Sequence, residues 1–454
     1  MAGELFRPIF VPDGFREAVS GRAWLRAMLE AEGALALAQA RAGLISSQAA
    51  ETIVSCCDAD RFDPEEIGNK GRAQGNPVPP LVRALTQAVS RVSGDAAGHV
   101  HKGATSQDIM DTAAMLVSRH ALGLILTEVE GIAAACERLA DTHRDTMMSG
   151  RTLLQQALPT TFGLKAAGWL VSVLEARDRL FAVRESGLAV QLGGAAGTLA
   201  SLGPAGARVL GEFARELRLM EPAVPWHTDR VRISDMGSAL SLVAGVLGKI
   251  SQDVILMAQT EVGEVSEPVG EGRGGSSTLP HKRNPILSVT AVAGTRRVLD
   301  LAHTLQAAMV GEHERAAGAW HSEWEALSDA LALTGGAAAA VREVTEGLEV
   351  YPEKMLENLN ATGGLLLAEN LTTVAAEHLG RLAAHDLVED LVEEASHRAL
   401  EGGKPLREEL LCEPRLGEVL SEEEIDAALD SANYLGSAGE FVDRALKLYR
   451  EEEI

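Results

Sequence analysis

Two serines, an imidazole, two cations and an amide crowd into eleven residues of this chain: residues 275–285 read Gly-Ser-Ser-Thr-Leu-Pro-His-Lys-Arg-Asn-Pro. Such a set packs no apolar core. Ser276 and Ser277 with Lys282 and Asn284 have instead the chemistry to grip an anion and to move a proton beside it. Residues 269–275 carry four glycines, which predicts a loop able to close over a substrate and exclude water, so that each charge interaction beneath it strengthens. The plainer alternative is an exposed loop with a helix starting at Pro285, since proline suits a first helical turn.

Two further polar clusters lie far away in sequence. His101-Lys102-Gly103-Ala104-Thr105-Ser106-Gln107-Asp108 offers short-range donors to a carboxylate at the start of a helix whose first amides also attract anions; it reads equally as a capped helix start, with Ser106 or Asp108 as the cap. Arg151-Thr152-Leu153-Leu154-Gln155-Gln156, ahead of a long helix, is either a substrate-facing elbow or a solvated turn. Residues 312–315 (Glu-His-Glu-Arg) and 320–324 (Trp-His-Ser-Glu-Trp) fall on an expected helix, where histidines are usually structural. His99 and His101 have no carboxylate or thiol cluster to complete a metal site, so no metal is expected. The glycine-rich 193–198 stretch lacks a preceding strand and reads as a tight connection between helices.

The elements that must carry these clusters are helices. Over 111–142, 161–185, 234–265 and 285–310, apolar residues recur at three- and four-residue spacing, and no comparable run alternates in the manner of a strand. With 46% apolar and 4% aromatic residues, the composition fits long, closely packed helices. The reading is all-α, in three helical domains: 1–110, a long central bundle over 111–360 carrying the loop, and an acidic domain over 361–454. No signal peptide and no run of eighteen apolar residues is seen, so the expectation is a cytoplasmic protein with no membrane partner. The four cysteines show no paired framework. A net charge of −24 argues against nucleic acid as a partner. About half of that excess lies after residue 380, with twenty acidic against eight basic side chains, so a basic pocket elsewhere is compatible with it.

The 275–285 peptide resembles the signature of the fumarase, aspartase and argininosuccinate lyase superfamily, with Leu279 where methionine is usual, and the clusters at Thr105-Ser106 and Arg151-Thr152 match its other blocks in order and spacing. Within the superfamily the chain most resembles the bacterial cycloisomerases of 3-carboxy-cis,cis-muconate, through 75–78, 101–112, 225–228, 312–320 and 360–364. The resemblance implies an all-α homotetramer whose central bundle forms a tetrameric core, with active sites shared between subunits and no cofactor. It implies a tricarboxylate substrate interconverted with 4-carboxymuconolactone, in the protocatechuate branch of the β-ketoadipate pathway. By position, Ser276 is the general base, and Lys282 and Asn284 hold the carboxylate whose charge grows. His101, Thr105, Ser106, Gln107, Arg151, Thr152, Gln155, Ser277, Arg230 and Arg315 bind substrate, and Arg283 is a further cation.

One position departs from the wider superfamily. Leu153 stands where fumarase and adenylosuccinate lyase carry a histidine that manages a proton on the leaving or attacking group. A carboxylate leaves without a proton, because its acid has a pKa near ~4 against ~15.7 for water. Lactonisation therefore tolerates leucine, whereas hydration or amine elimination does not. The other readings of the chain are an adenylosuccinate lyase-like elimination enzyme and a non-catalytic relative.

Overall fold

The computed structural model describes residues 2–268, 282–400 and 406–452, without the side chains of 2–4, 395–400 and 452. Six long helices dominate it: α1 (Gly21–Arg41), α2 (Ser106–Thr142), α3 (Phe162–Ala182), α4 (Val231–Met257), α5 (Ile286–Ala307) and α6 (Ala319–Gly347). The predicted helical stretches overlap α2 to α5, except that the one expected over 234–265 ends at Met257 and Val265 lies in a short strand. At 37 residues, α2 is about 55 Å long at 1.5 Å per residue. Its apolar residues, among them Ile109, Met115, Leu122, Ile125 and Ile132, are fully buried at helical spacing.

The described chain divides into two compact units, each drawn from three separate stretches. The first comprises Met1–Glu130, Glu175–Ser251 and Leu287–Arg342; the second comprises Gly131–Leu174, Gln252–Ile286 and Glu343–Ile454. This corrects the expectation of three consecutive domains, and the boundary set at 110 falls within the first turns of α2. Helices α2, α3, α4 and α6 each pass from one unit into the other, so long helices and not linkers join them. The acidic C-terminal stretch has an apolar interior of its own, including Leu371, Leu391, Leu410, Leu416 and Ile425.

Two features differ from the sequence reading. First, residues 147–161 form an antiparallel hairpin, β1 (Met147–Thr152) and β2 (Gln155–Thr161), with a register shift between Gly150 and Arg151. Its two-residue tip, Leu153-Leu154, has φ of +50° and +69°. Asn-Gly is the usual occupant of such a mirror-image turn, which is why alternation and turn chemistry gave no hairpin signal. Second, α2 and α4 contain eighteen-residue windows of mean hydropathy 1.4 and 1.5, long and apolar enough to cross a membrane by that measure. The α2 window is 78% buried inside the protein and the α4 window 44%, so the apolar surface of α2 is taken up by core packing.

Close backbone approach sets where side chains are excluded. A Cβ at Gly336, on α6, would collide with the Phe10 carbonyl oxygen, whereas one at Gly168, on α3, meets nothing within 4 Å. Gly336→Ala is therefore expected to destabilise the protein by about 1–3 kcal/mol through overpacking. Gly168→Ala should stabilise it by about 0.5–1 kcal/mol through lost unfolded-state entropy. Opposite shifts in thermal midpoint check the pair.

Candidate active site

The first turn of α2 is held by one carboxylate. Thr105 precedes the helix, and Asp108, three residues on, reaches back to accept the Thr105 N–H at 2.9 Å, one half of a capping box. The same carboxylate accepts the amides of Gly193 and Gly194, each at 2.9 Å, and contacts His227 Nε2 at 2.7 Å. Asp108 has no exposure. Glycine is needed at 193, where a Cβ would meet Pro225 and His227 at 2.7 and 2.8 Å. The glycine-rich 193–198 stretch therefore anchors the Thr105-Ser106 turn as well as connecting elements.

One helical turn further, Asp111 organises a second layer. It accepts Gln107 Nε2 at 3.1 Å, Gln191 Nε2 at 3.3 Å, Trp320 Nε1 at 3.0 Å, and both Arg230 Nη groups at 2.8 and 3.0 Å. Arg230 spans Asp111 and Glu323, reaching Glu323 through Nε at 2.9 Å and Nη2 at 2.5 Å, and its last donor meets the Trp226 carbonyl at 3.4 Å. Burial opposes the charge of Arg230, but Asp111 and Glu323 outweigh it and hold the guanidinium well above its ordinary range. Burial pushes the Glu323 carboxyl up, against the opposing pull of Arg230.

Two expected substrate ligands are thereby reassigned. A guanidinium has five donors, and all five of Arg230 are used within the protein. Gln107, 1% exposed, gives its amide to Asp111 and to the His227 carbonyl while its oxygen accepts Arg315 Nη1 at 3.0 Å. Both are frame. Arg315 is half-buried and also bonds the carbonyls of Gly194 and Ala195. It lies in a turn ahead of α6, which starts at Ala319, so the helix expected over 312–318 is a loop. There Glu312 accepts the Ala317 N–H at 2.8 Å, and His313 has φ +49°. Thr105 and Ser106 are half-buried, and His101 contacts Glu32.

The remaining expected residues belong to the second unit. Arg151, on β1, forms a two-pronged pair with Glu264 at 2.9 and 2.6 Å, and Asn358 Nδ2 steadies that carboxylate at 2.9 Å. Glu264 is fully buried and Arg151 keeps 24% side-chain exposure. Thr152 and Gln155 pair at the top of the hairpin and are exposed, as is Leu153 at 97%. Lys282 is exposed and Asn284 half-buried. Ser276 and Ser277 lie outside the described residues.

Sequence reasoning passed over Asp108, Asp111, Gln191, His227, Glu264 and Glu323 as site builders. Thr105-x-x-Asp108 carried a capping-box signal; the others are set by partners some 80 to 210 residues away and left none. Asp108→Asn tests the frame, because it turns one acceptor oxygen into a donor facing N–H groups. Its expected cost is about 3–5 kcal/mol, as for other broken buried charge contacts, read by denaturant unfolding.

A family model described as lyase matches residues 12–299, and one described as adenylosuccinate lyase C-terminus matches 364–445. The chain is 44% identical to the 3-carboxy-cis,cis-muconate cycloisomerase of Bradyrhizobium diazoefficiens over 97% of each chain. It is also 44% identical to the nitrosuccinate lyase of Streptomyces davaonensis, over 97% of this chain and 94% of that one. The crystal structure of the 3-carboxy-cis,cis-muconate lactonizing enzyme from Pseudomonas putida superimposes with a TM-score of 0.93 at 41% identity, covering 99% of this chain and all of that one. The helical architecture and this near full-length likeness establish that the chain belongs to the lyase superfamily of fumarase, aspartase and argininosuccinate lyase.

Proposed function

We propose that the protein interconverts 3-carboxy-cis,cis-muconate and 4-carboxymuconolactone. In the lactonising direction a substrate carboxylate oxygen adds to the conjugated double bond, and the electron pair moves onto the carbon beside another carboxylate as an aci-carboxylate. A proton then arrives at that carbon. Ser276 moves this proton, while Lys282 and Asn284 stabilise the oxygens on which charge accumulates. Ser277, Thr105, Ser106, Thr152, Gln155 and the free donors of Arg151 bind the substrate, and no cofactor takes part.

The observation that carries this reading is the near full-length likeness to cycloisomerases. Leu153 supports it: an exposed aliphatic side chain at the tip of the Arg151 hairpin cannot supply a proton, and a carboxylate needs none to leave. A second reading has equal sequence identity behind it. A nitrosuccinate lyase also expels a group that departs as a weakly basic anion, and Leu153 suits that chemistry equally well.

Mixing the protein with 3-carboxy-cis,cis-muconate should bleach the diene's ultraviolet absorbance, and Ser276→Ala should slow this by about 10²–10⁴-fold, the usual worth of a general acid-base group. Bleaching undiminished in the variant removes Ser276 from its role. Elimination from nitrosuccinate without turnover of the muconate transfers the reading to the second activity, and silence toward both favours a non-catalytic relative.

We further propose a homotetramer with shared sites. Exposed apolar side chains support it: Leu242 on α4, Val289 and Leu299 on α5, and Leu153-Leu154 at the hairpin tip. Surface of this kind in contiguous patches marks association. Light scattering after size exclusion should give four times the chain mass. Co-refolding Ser276→Ala with a Thr105→Ala/Ser106→Ala double variant, each inactive alone, should restore partial activity, because some sites of the mixed tetramers draw all their groups from intact copies. No recovery would mean each site is built within one chain.

A further inference from the structure

Glu32 lies outside every motif that marks the site, in the middle of α1, and is 1% exposed. Its Oε1 sits 2.6 Å from Nδ1 of His101, while its Oε2 has no hydrogen-bond partner among the described residues. A contact this short between a carboxylate and a ring nitrogen is that of a charge-assisted hydrogen bond. Among the described residues His101 is the side chain that meets this buried carboxylate.

The loop carrying His101 is clamped to make that contact. His101 has φ +59°, which costs roughly 1–2 kcal/mol for a residue with a side chain. Gln39, seven residues beyond Glu32 on the same face of α1 and fully buried, donates Nε2 to the Lys102 carbonyl at 2.6 Å. Gly103, at φ +77°, leaves no space for a Cβ against Leu202. Two buried polar side chains of α1 therefore grip consecutive residues just ahead of the Thr105-Ser106 turn. The His101 side chain keeps 18% exposure.

We propose that Glu32 is a positioning residue for the lyase reaction: it binds the Nδ1–H of His101 and so presents Nε2–H as a cationic donor to a carboxylate of the substrate at the Thr105-Ser106 turn. This rests on the function proposed above and adds a cation that the frame does not consume, where Arg230 is spent on Asp111 and Glu323. Among the described residues the charged groups facing His101 are Glu32 from α1 and Asp108 from α2. Burial alone would lower the imidazole's pKa, but the charge and hydrogen bond of Glu32, with Asp108, outweigh it and raise it. Cys57, beside Glu32, is pushed up by burial and by that carboxylate, so it stays a neutral thiol. With the imidazole pKa raised, the cationic donor is present below that pKa and lost as pH rises through it.

A purely structural Glu32 would need only the hydrogen bond, which glutamine reproduces; a charging role needs the negative charge. Glu32→Gln should therefore keep the thermal midpoint near that of the parent while lowering the His101 titration midpoint, followed by NMR on histidine-labelled protein, by about one pH unit, a tenfold change in protonation equilibrium. The basic limb of kcat/KM should move down with it, with KM for 3-carboxy-cis,cis-muconate rising about tenfold above the shifted midpoint and kcat changing less. His101→Gln should remove that limb. An unmoved histidine midpoint, a superimposable kcat/KM profile in Glu32→Gln, or a limb persisting in His101→Gln overturns the proposal. If the parent does not turn over the muconate, the function falls on that result alone, and the histidine titration, which needs no turnover, still decides whether Glu32 charges His101.

Discussion

A buried carboxylate that takes donors from three separate parts of the chain is what this site hangs on. Asp108 gathers the amides of Thr105, Gly193 and Gly194 and the ring nitrogen of His227. Removing a carboxylate from water costs several kcal/mol, and it is tolerated here because its lone pairs meet donors fixed by the backbone. The consequence is geometric. The start of α2, the 193–194 turn and the 226–230 segment cannot shift independently, and Thr105-Ser106 inherits their rigidity. An anion-binding turn at a helix start is most useful when it needs no reorganisation as charge develops.

The electrostatic consequence is less obvious. In a chain of net charge −24, cations near a site for an anionic substrate look like substrate ligands, and three of the arginines read that way from sequence have partners in the protein. Arg230 neutralises Asp111 and Glu323, Arg151 pairs with Glu264, and Arg315 caps Gln107 and two carbonyls. Arg230 has no donor left, whereas Arg151 and Arg315 retain some exposure. In the proposed reaction the attraction for a substrate is then shared by the amides at the start of α2, the cation at Lys282, the imidazole of His101 and the donors that Arg151 does not give to Glu264.

What the sequence disclosed divides along the same line. Helices α2 to α5 were legible because burial of one face imposes a periodic pattern on each helix by itself. The three polar clusters were legible because each is contiguous. The partners of those clusters were not: Asp111 with Arg230, or Arg151 with Glu264, are pairs of ordinary charged residues more than a hundred positions apart, and nothing local distinguishes a buried one from a solvated one. The hairpin at 147–161 escaped for another reason, since its tip uses leucines where local rules call for asparagine and glycine. The turn over 312–318 was read as helix because its residues have good helical propensity, while the bond from Ala317 to Glu312 and the positive φ of His313 decide against it.

That hairpin tip is where local and global demands conflict, and such conflicts mark function more often than error. Leu153 and Leu154 both adopt a backbone conformation that costs roughly 1–2 kcal/mol each, and both are exposed, at 97% and 75%. Neither backbone preference nor solvation favours leucine there in a single chain. What would favour it is an apolar surface that the tip meets in the assembled protein, where burying a leucine side chain contributes about 1.5–3 kcal/mol, enough to offset the strain. The residue that withholds a proton from the leaving group would then also be one that helps hold the assembly together. In the proposed tetramer, substituting a histidine there would alter chemistry and association at once.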